Sequence, residues 1–271
     1  MHLAASLIFA ALFTCLPVSS ICVQDGALHT RDHAGFTYTG ETGPLGWTKP
    51  KHNKLCSTGK HQSPINLVAA NAMSTKESLT IDISDVDSGE LENTGHSLQV
   101  KAKGTVKLGE QEYALSQFHF HTPSEHRVDD EYYPLEMHMV FTRDSGKKLL
   151  VLGTLFEVTK DSSIDLIATL AKSAKELTDT KKTATTEKLV FSGIKAHFDS
   201  ASNTLYKYEG SLTTPPCTEG VTWIIVKQTL SVNVDDFLTF KNVMKFNSRY
   251  TQNTLGRNNL ITVAKNNYPK A

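Results

Sequence analysis

Three histidines in two short segments are the residues of this chain that are best suited to chemistry. His119 and His121 alternate with phenylalanines in the segment QFHFH, and His138 lies in the segment LEMHM. Successive side chains of a strand project from opposite faces, so His119 and His121 would share one face. If the second segment forms a neighbouring strand, all three imidazoles can meet. Three neutral imidazoles around an open fourth position are a ligand set of catalytic zinc sites.

A histidine pair on a strand is by itself weak evidence, because histidines also serve as hydrogen-bonded core residues. Metal-bound histidines usually donate their second ring N–H to a carboxylate, an amide or a carbonyl group. Gln117 precedes His119 by two residues and Glu136 precedes His138 by two, so each would lie on the same face as its histidine. The sequence therefore predicts a zinc site with the three histidines as ligands, supported by Gln117 and Glu136.

The composition favours a small substrate. With 271 residues, the chain can form one large domain with a sizeable core. It carries 28 Lys and Arg against 28 Asp and Glu, so its formal net charge is zero. Such a balance gives no indication of nucleic acid or of an anionic membrane surface as a partner.

Short apolar segments with period-two alternation dominate the chain and are separated by Gly, Asp, Asn and Ser. This pattern predicts a strand-dominated single domain. Apolar residues at helical spacing predict helices over 163–176 and 235–246. The clearest strand segments are 98–100, 105–108, 149–156, 205–208 and 221–226.

Several motifs, in the same order along the chain, resemble those of one enzyme family. They are QSPINL from Gln62, NTGHS from Asn93, QFHFH followed by SEH and ExH, and GSLTTPPCTE from Gly210, with Trp223 after it. Together they are similar to the motifs of the alpha-class carbonic anhydrases, and the similarity covers residues from about 36 to about 257. The short segment HTPSEH is similar to that of bacterial, fungal, algal and plant members.

The resemblance implies a mainly β fold with a few short helices. A single domain, assigned to residues 28–265, would surround a central twisted, mostly antiparallel ten-stranded sheet, with the zinc ion at the base of a conical cavity. The implied reaction is the reversible hydration of carbon dioxide to bicarbonate and a proton by a zinc-bound hydroxide, with weak esterase activity as a side reaction. Sulfonamides and anions are the implied inhibitors.

The resemblance also assigns roles to individual residues. Thr213 is the implied gatekeeper, which accepts a hydrogen bond from the nucleophile and donates one to Glu125. His96 is the implied proton shuttle, because an imidazole titrates near neutral pH; an exposed loop histidine is the alternative interpretation. His126 resembles a structural residue, and Phe36 stands where the family commonly has tryptophan. The implied substrate pocket is formed by Val140, Val151, Leu212, Thr214, Val221 and Trp223. Its polar side is lined by Tyr38, Thr94, His96, Gln99, Gln117 and Thr214.

The first 20 residues predict a signal peptide, and no other membrane association is expected. The stretch from residue 3 to residue 18 is apolar and uncharged but shorter than a typical membrane span, with a retained signal anchor as the alternative. In secreted relatives a disulfide joins the positions of Cys56 and Cys217, and closing so long a loop contributes about 4–5 kcal/mol in the chain-entropy model. Two buried free thiols are the alternative. We therefore expect a secreted or otherwise extracytoplasmic protein.

Two other function classes remain open. A catalytically silent relative would usually have lost one of the three zinc histidines, and none is missing here. A zinc hydrolase of esters would use the same nucleophile on a different carbonyl, but a narrow apolar pocket argues against large esters as the main substrate. The sequence gives no prediction of the oligomeric state.

Overall fold

The computed structural model describes residues 35–49, 51–71 and 78–267. The predicted signal peptide, together with Cys15 and Cys22, lies outside these residues. Within them the chain forms a single, mainly β domain with short helices, which confirms the predicted fold class. No helix in this part of the chain is long and apolar enough to span a membrane.

A ten-stranded sheet forms the centre of the domain, and a separate pair of strands accompanies it. In the described residues the strands are β1 (Asn66–Leu67), β2 (Leu79–Asp82), β3 (Glu90–Asn93), β4 (Leu98–Lys101), β5 (Thr105–Leu108), β6 (Gln111–His121), β7 (Arg127–Val128), β8 (Leu135–Arg143), β9 (Lys148–Thr159), β10 (Lys182–Thr185), β11 (Leu205–Ser211) and β12 (Glu219–Asn233). Neighbours in the sheet follow the order β10, β3, β4, β6, β8, β9, β12 and β11, while β5 pairs with both β6 and β2. Among the described strands of this sheet only β9 and β12 run parallel; the separate pair β1 and β7 is also parallel.

Helices pack around the sheet and at its ends. They are α1 (Leu55–Thr58), α2 (Asp165–Ala174), α3 (Ser192–Asp199), α4 (Val234–Met244) and α5 (Leu260–Asn267), with 3-10 turns at Gly40–Thr42, Lys51–Asn53 and Ala69–Asn71. The predicted helices over 163–176 and 235–246 correspond to α2 and α4. Helix α4 begins after Asn233, whose side chain accepts a hydrogen bond from the Asp235 N–H as a helix N-cap.

The central strands present one face to the main core and the other face to the histidines. Along β6, Phe118 and Phe120 point into the main apolar cluster, and along β8, Met137 and Met139 do the same. All four side chains are fully buried. Because strand side chains alternate, the intervening residues of β6 and β8 face the opposite side of the sheet. Packing of these side chains in the apolar core thus fixes the positions of β6 and β8, the strands that carry the three histidines.

Candidate metal centre

Two adjacent antiparallel strands bring the three histidines together. His119 and His121 lie on β6, and His138 lies on β8, directly opposite His119 in the register. The ring centroids of His119 and His138 are 5.4 Å apart, those of His119 and His121 are 5.1 Å apart, and those of His121 and His138 are 4.6 Å apart. One nitrogen from each ring lies within 4.8 Å of the others. Strand alternation and register therefore place all three imidazoles at one point.

Two of the rings are held by side chains that precede them by two residues. His119 Nδ1 is 2.9 Å from Gln117 Oε1. His138 Nε2 is 2.7 Å from Glu136 Oε1. Each contact occupies one ring nitrogen and leaves the other, Nε2 of His119 and Nδ1 of His138, for a different partner.

His121 is held by a residue from a distant part of the chain. Its Nδ1 is 2.8 Å from the backbone carbonyl oxygen of Asn247, which lies after α4. Its Nε2 is buried and has no hydrogen-bond partner among the described residues. A buried polar atom without a partner is costly. A metal ion that takes the lone pair of this nitrogen would satisfy it.

Burial keeps the three imidazoles neutral. It lowers the pKa of His121 to about 4, and it lowers the pKa of His119 well below its usual value, with the neighbouring rings adding to the effect. Burial also lowers the pKa of His138, although the charge of Glu136 opposes this change. Neutral imidazoles offer lone pairs to a cation, so this group fits a divalent metal such as zinc.

The Glu136 carboxylate lies behind His138 and contacts four nitrogens. Its Oε1 is 2.7 Å from His138 Nε2 and 2.7 Å from His126 Nδ1, and its Oε2 accepts hydrogen bonds from the backbone N–H groups of Glu125 and His126. Burial alone would raise the pKa of Glu136, but the two histidines hold that pKa well below its usual range. His126, Glu136 and His138 also form a compact group of possible metal ligands. Because the facing atoms of this second group already share hydrogen bonds, the group formed by His119, His121 and His138 is better suited to a metal ion.

Glu125 and Thr213 lie beside the three histidines. Glu125 Oε1 accepts a hydrogen bond of 2.8 Å from the Arg249 N–H, and Oε2 lies 3.9 Å from His138 Nδ1. Burial raises the pKa of Glu125 to about 7, although the charge of His138 and the nearby Thr213 hydroxyl work against it. Oε2 has no hydrogen bond of normal geometry within the described residues. Glu125 therefore keeps one acceptor position open near Thr213.

The apolar residues of the predicted pocket lie together next to the histidines. Trp223 connects this group to the metal centre, since its ring centroid is 4.8 Å from that of His138. Leu212, in the loop after β11, packs against the group, and Thr214 lies partly exposed in the same loop. The buried members of the group are Val140, Val151, Val221 and Trp223.

Two residues of the predicted polar side also lie near the centre. Gln99 on β4 is opposite His119 in the register. Burial, and after it the charge of Glu125, raises the pKa of Tyr38 well above its usual value.

His96 lies in the turn before β4 and is half-buried. Its ring stacks on Phe36, with centroids 4.0 Å apart and planes 12° apart. Its backbone N–H donates to the Thr94 hydroxyl, and its carbonyl oxygen accepts a hydrogen bond of 2.9 Å from Asn247 Nδ2. Asn247 thus contacts both the backbone of His96 and the ring of His121.

Asn247 and Arg249 are supporting residues to which the sequence analysis gave no role. Asn247 holds His121 through its backbone carbonyl, which no side-chain pattern can indicate. Arg249 is buried and donates from Nη1 to the carbonyl oxygen of Ser63 at 2.7 Å, while its backbone N–H holds Glu125. The available signal was that both residues lie within the stretch, from about 36 to about 257, that resembles the family. Local patterns could not show their contacts, which join segments more than 120 residues apart.

A disulfide joins Cys56 of α1 to Cys217 in the loop after β11, with Cα atoms 5.1 Å apart. This bond confirms the pairing implied by the resemblance. The Cys217 N–H donates to the Thr214 carbonyl oxygen at 2.8 Å, and the Cys217 carbonyl oxygen accepts from Gln62 Nε2 at 3.0 Å. The loop that carries Thr213 is therefore anchored at its far end. Disulfides of this kind are typical of oxidising compartments.

Known proteins resemble this chain in both sequence and fold. A family model described as eukaryotic-type carbonic anhydrase matches residues 42–267. A carbonic anhydrase of Neisseria gonorrhoeae is 34% identical over 217 residues, which are 76% of this chain and 79% of the relative. The fungal alpha carbonic anhydrase structure from Aspergillus oryzae is 39% identical with a TM-score of 0.81, and the match covers 86% of this chain and 99% of the fungal chain. The alpha carbonic anhydrase of Thermovibrio ammonificans, solved with the inhibitor sulfanilamide, is 29% identical with a TM-score of 0.70, and the match covers 83% of this chain and 97% of that one.

The fold and the three-histidine site define an enzyme of the carbonic anhydrase type. The chain belongs to the eukaryotic-type, or alpha, carbonic anhydrase family. The family and the enzyme class predicted from the sequence motifs are thereby confirmed.

Proposed function

We propose that the chain is a zinc-dependent enzyme that hydrates carbon dioxide reversibly to bicarbonate and a proton. The proposal depends on three neutral imidazoles that each have one nitrogen held by the protein and one nitrogen that converges with the others. His119, His121 and His138 would hold the ion. Zinc bound by three neutral ligands lowers the pKa of a coordinated water to about 7 and so supplies the nucleophile, an effect for which carbonic anhydrase is itself the standard example.

Glu125 and Thr213 orient the nucleophile. The Arg249 N–H occupies Oε1 of Glu125, which leaves Oε2 to accept the proton of the Thr213 hydroxyl. Because its proton is directed to Glu125, the Thr213 oxygen can only accept a hydrogen bond from the nucleophile. The O–H of the nucleophile then points to Thr213, and its lone pair faces the substrate. With a cation held by the histidines, Glu125 would be ionised, because a nearby cation lowers the pKa of a carboxyl group.

The apolar cluster beside His138 receives carbon dioxide. A nonpolar substrate needs a surface on which ordered water does not compete, and buried valine and tryptophan side chains provide such a surface. Thr214, in the same loop as Thr213, forms the polar margin of this pocket. The pocket residues are Val140, Val151, Leu212, Thr214, Val221 and Trp223.

His96 carries the product proton toward solvent. Its half-buried side chain is accessible to water. An imidazole titrates near neutral pH, so it can accept a proton and release it again within one turnover. Stacking on Phe36 supports one orientation of this ring.

A metal analysis and a stopped-flow hydration assay on the same sample test the proposal. Purified protein should contain about one zinc ion per chain and should hydrate carbon dioxide. His121→Ala should lose most of the metal and the activity, because it removes the buried nitrogen for which the described residues offer no hydrogen-bond partner. His197→Ala is the matched control, since His197 is also buried but lies on α3. Full zinc occupancy in His121→Ala would show that the ligand assignment is wrong.

Inhibition should follow from the same site. Sulfonamides and small anions should compete with the nucleophile for the metal, and the complex of the Thermovibrio ammonificans relative with sulfanilamide supports this expectation. Small activated esters should be hydrolysed slowly by the same nucleophile. Sulfonamide at submillimolar concentration that leaves hydration unchanged would contradict an open metal position.

We also propose that the protein acts outside the cytoplasm. Residues 1–20 are proposed as a cleaved signal peptide, and residues 28–265 as the catalytic domain. The disulfide between Cys56 and Cys217 supports an oxidising destination. Mass analysis of the mature protein from its native host tests the cleavage, because an intact residue 1 would exclude it.

A further inference from the structure

A chain of buried hydrogen bonds leads away from His138 to the edge strand β11. His138 Nε2 contacts Glu136 Oε1, and the same oxygen contacts His126 Nδ1, each at 2.7 Å. The other nitrogen of His126, Nε2, is hydrogen-bonded to the Tyr208 hydroxyl at 2.6 Å. Tyr208 donates in turn to Ser63 Oγ at 2.7 Å. Four hydrogen bonds therefore connect a proposed metal ligand to a tyrosine and a serine that the sequence analysis gave no role.

This chain of hydrogen bonds is buried along its whole length. Ser63, His126 and Glu136 have no exposed surface, His138 is 1% exposed and Tyr208 is 5% exposed. Water therefore cannot replace a partner that is removed, and a fully satisfied buried network of this kind is rigid. The orientation of each ring along the chain depends on the next.

The outer end of this chain of hydrogen bonds is fixed by β11, the strand that leads into the loop that carries Thr213. Ser63 Oγ accepts a hydrogen bond of 3.0 Å from the Ser211 N–H, and the Ser63 N–H donates to Ser211 Oγ at 2.9 Å. Ser211 is the last residue of β11, two residues before Thr213. Tyr208 thus stands between a metal ligand and the start of the loop that carries Thr213.

We propose that Tyr208 is a positioning residue for the metal centre. Its hydroxyl holds His126, His126 holds the Glu136 carboxylate, and Glu136 fixes the ring orientation and the protonated nitrogen of His138. The inference rests on the zinc site proposed above. Without the hydroxyl, His126 and Glu136 can shift, and His138 then releases the metal more readily.

The adjacent tyrosine of the same strand provides a matched control. Tyr206 precedes Tyr208 by two residues, is 1% exposed and belongs to the same apolar cluster. Its hydroxyl interacts with the Lys227 ammonium and helps to raise the pKa of that lysine. The Tyr206 hydroxyl is not part of the chain of hydrogen bonds that leads to His138. Replacing either tyrosine by phenylalanine removes one buried hydroxyl from β11, but only one of them belongs to the proposed support.

The test measures metal retention by the zinc-loaded enzyme. The rate of zinc transfer to an excess of a chelator is compared for the parent, Tyr208→Phe and Tyr206→Phe. Loss of a direct partner of a metal-bound histidine typically costs 10–100-fold in metal affinity. Because Tyr208 is two residues further away, we expect zinc loss about 3–10-fold faster in Tyr208→Phe and within about twofold of the parent in Tyr206→Phe. The visible spectrum of the cobalt-substituted enzyme should change only in Tyr208→Phe.

A second background tests the route. Glu136→Gln removes the carboxylate through which Tyr208 is proposed to act, so adding Tyr208→Phe to it should change zinc loss by less than about twofold. The full effect of Tyr208→Phe in this background would show that the route through Glu136 is wrong. If Tyr208→Phe does not fold, Ser63→Ala removes the outer partner and should speed zinc loss about 2–3-fold.

The outcomes separate the inference from the function on which it rests. A parent enzyme that holds no zinc refutes the proposed function and the inference together. A parent that holds one zinc and loses it no more slowly than Tyr208→Phe refutes the inference alone. Equally faster zinc loss in Tyr208→Phe and Tyr206→Phe would also refute the inference, since the two hydroxyls would then act only through general packing.

Discussion

Replacing Asn247 by alanine should weaken both the fold and the metal centre, because one buried amide supports both. Asn247 Oδ1 accepts a hydrogen bond of 2.7 Å from the Thr122 N–H, and Nδ2 donates to the carbonyl oxygens of His96 and Phe120, both at 2.9 Å. Truncation of Asn247 to alanine affects these three hydrogen-bond partners unequally. The Phe120 oxygen still accepts from Ser97 Oγ, and the His96 carbonyl belongs to a half-exposed residue, but the buried Thr122 N–H loses its partner.

These differences set the expected magnitude. An unsatisfied buried N–H costs about 1–3 kcal/mol, and a hydrogen bond whose other partner keeps an alternative costs about 0.5–1.5 kcal/mol. We therefore expect Asn247→Ala to lower the free energy of unfolding by about 2–4 kcal/mol. The substitution also loosens the backbone carbonyl that holds His121 Nδ1. Loss of such support should lower zinc affinity by about tenfold.

Asn259→Ala is the control for this prediction. Asn259 is also buried and makes three hydrogen bonds through its amide, to the carbonyl oxygens of Cys56 and Gly59 and from the Ile261 N–H. None of these partners belongs to the metal centre. Urea unfolding of the metal-free proteins should show a loss of stability in both variants, and chelator competition should show weaker zinc binding only in Asn247→Ala. Unchanged zinc affinity in Asn247→Ala, or an equal loss in both variants, would refute the reasoning.

Four further results are expected. His96→Ala should lower kcat by roughly tenfold or more in a poorly penetrating buffer and leave kcat/KM within about twofold, with recovery in imidazole buffer; equal losses without recovery would show that His96 is structural. Thr213→Ala should instead lower kcat/KM by about 100-fold, because it disorients the nucleophile during the attack itself; an unchanged kcat/KM would exclude the gatekeeper role. Reduction of the bond between Cys56 and Cys217, which lie 161 residues apart, should cost about 5 kcal/mol and lower Tm by roughly 10–20 °C; a Tm that stays constant while mass analysis finds free thiols would contradict this. The metal-free protein should lose stability as pH falls from about 6.5 to about 4, because unfolded histidines take up their protons near pH 6.5 whereas the buried His119, His121 and His138 do so only at lower pH; for His121, whose pKa is about 4, the difference is about 3 kcal/mol. The raised pKa of Glu125, about 7, acts in the opposite direction and offsets part of this loss; a urea midpoint that stays constant or rises across this window would be inconsistent with buried neutral imidazoles.

Much of the centre follows from local sequence rules. Alternation along a strand places His119 and His121 on one face, and a spacing of two residues places Gln117 and Glu136 beside their histidines. The strand segments and the two longer helices also follow from apolar periodicity, because each is long enough for the period to show. The family resemblance added the disulfide, which spacing alone does not give.

Other parts of the centre depend on tertiary contacts that leave no local pattern. Asn247 holds His121 through a backbone carbonyl, a group that every residue possesses. The Tyr208 hydroxyl meets His126 across 82 residues of sequence, and its strand reads as an ordinary alternating segment. Helices α1 and α5, with four and eight residues, are too short for their own periodicity and form against each other.

The position of Asn247 and Arg249 near the end of the domain has a consequence for the order of folding. Both residues follow α4, whereas the groups that they hold, His121 and Glu125, lie 126 and 124 residues earlier. A growing chain therefore contains all three imidazoles well before the contact that holds His121 can form, and contacts of such long sequence separation form late. For a chain that crosses a membrane before it folds, metal capture would follow translocation. The enzyme would then acquire its zinc from the compartment in which it works, and the cytosolic zinc supply would have no part in its activation.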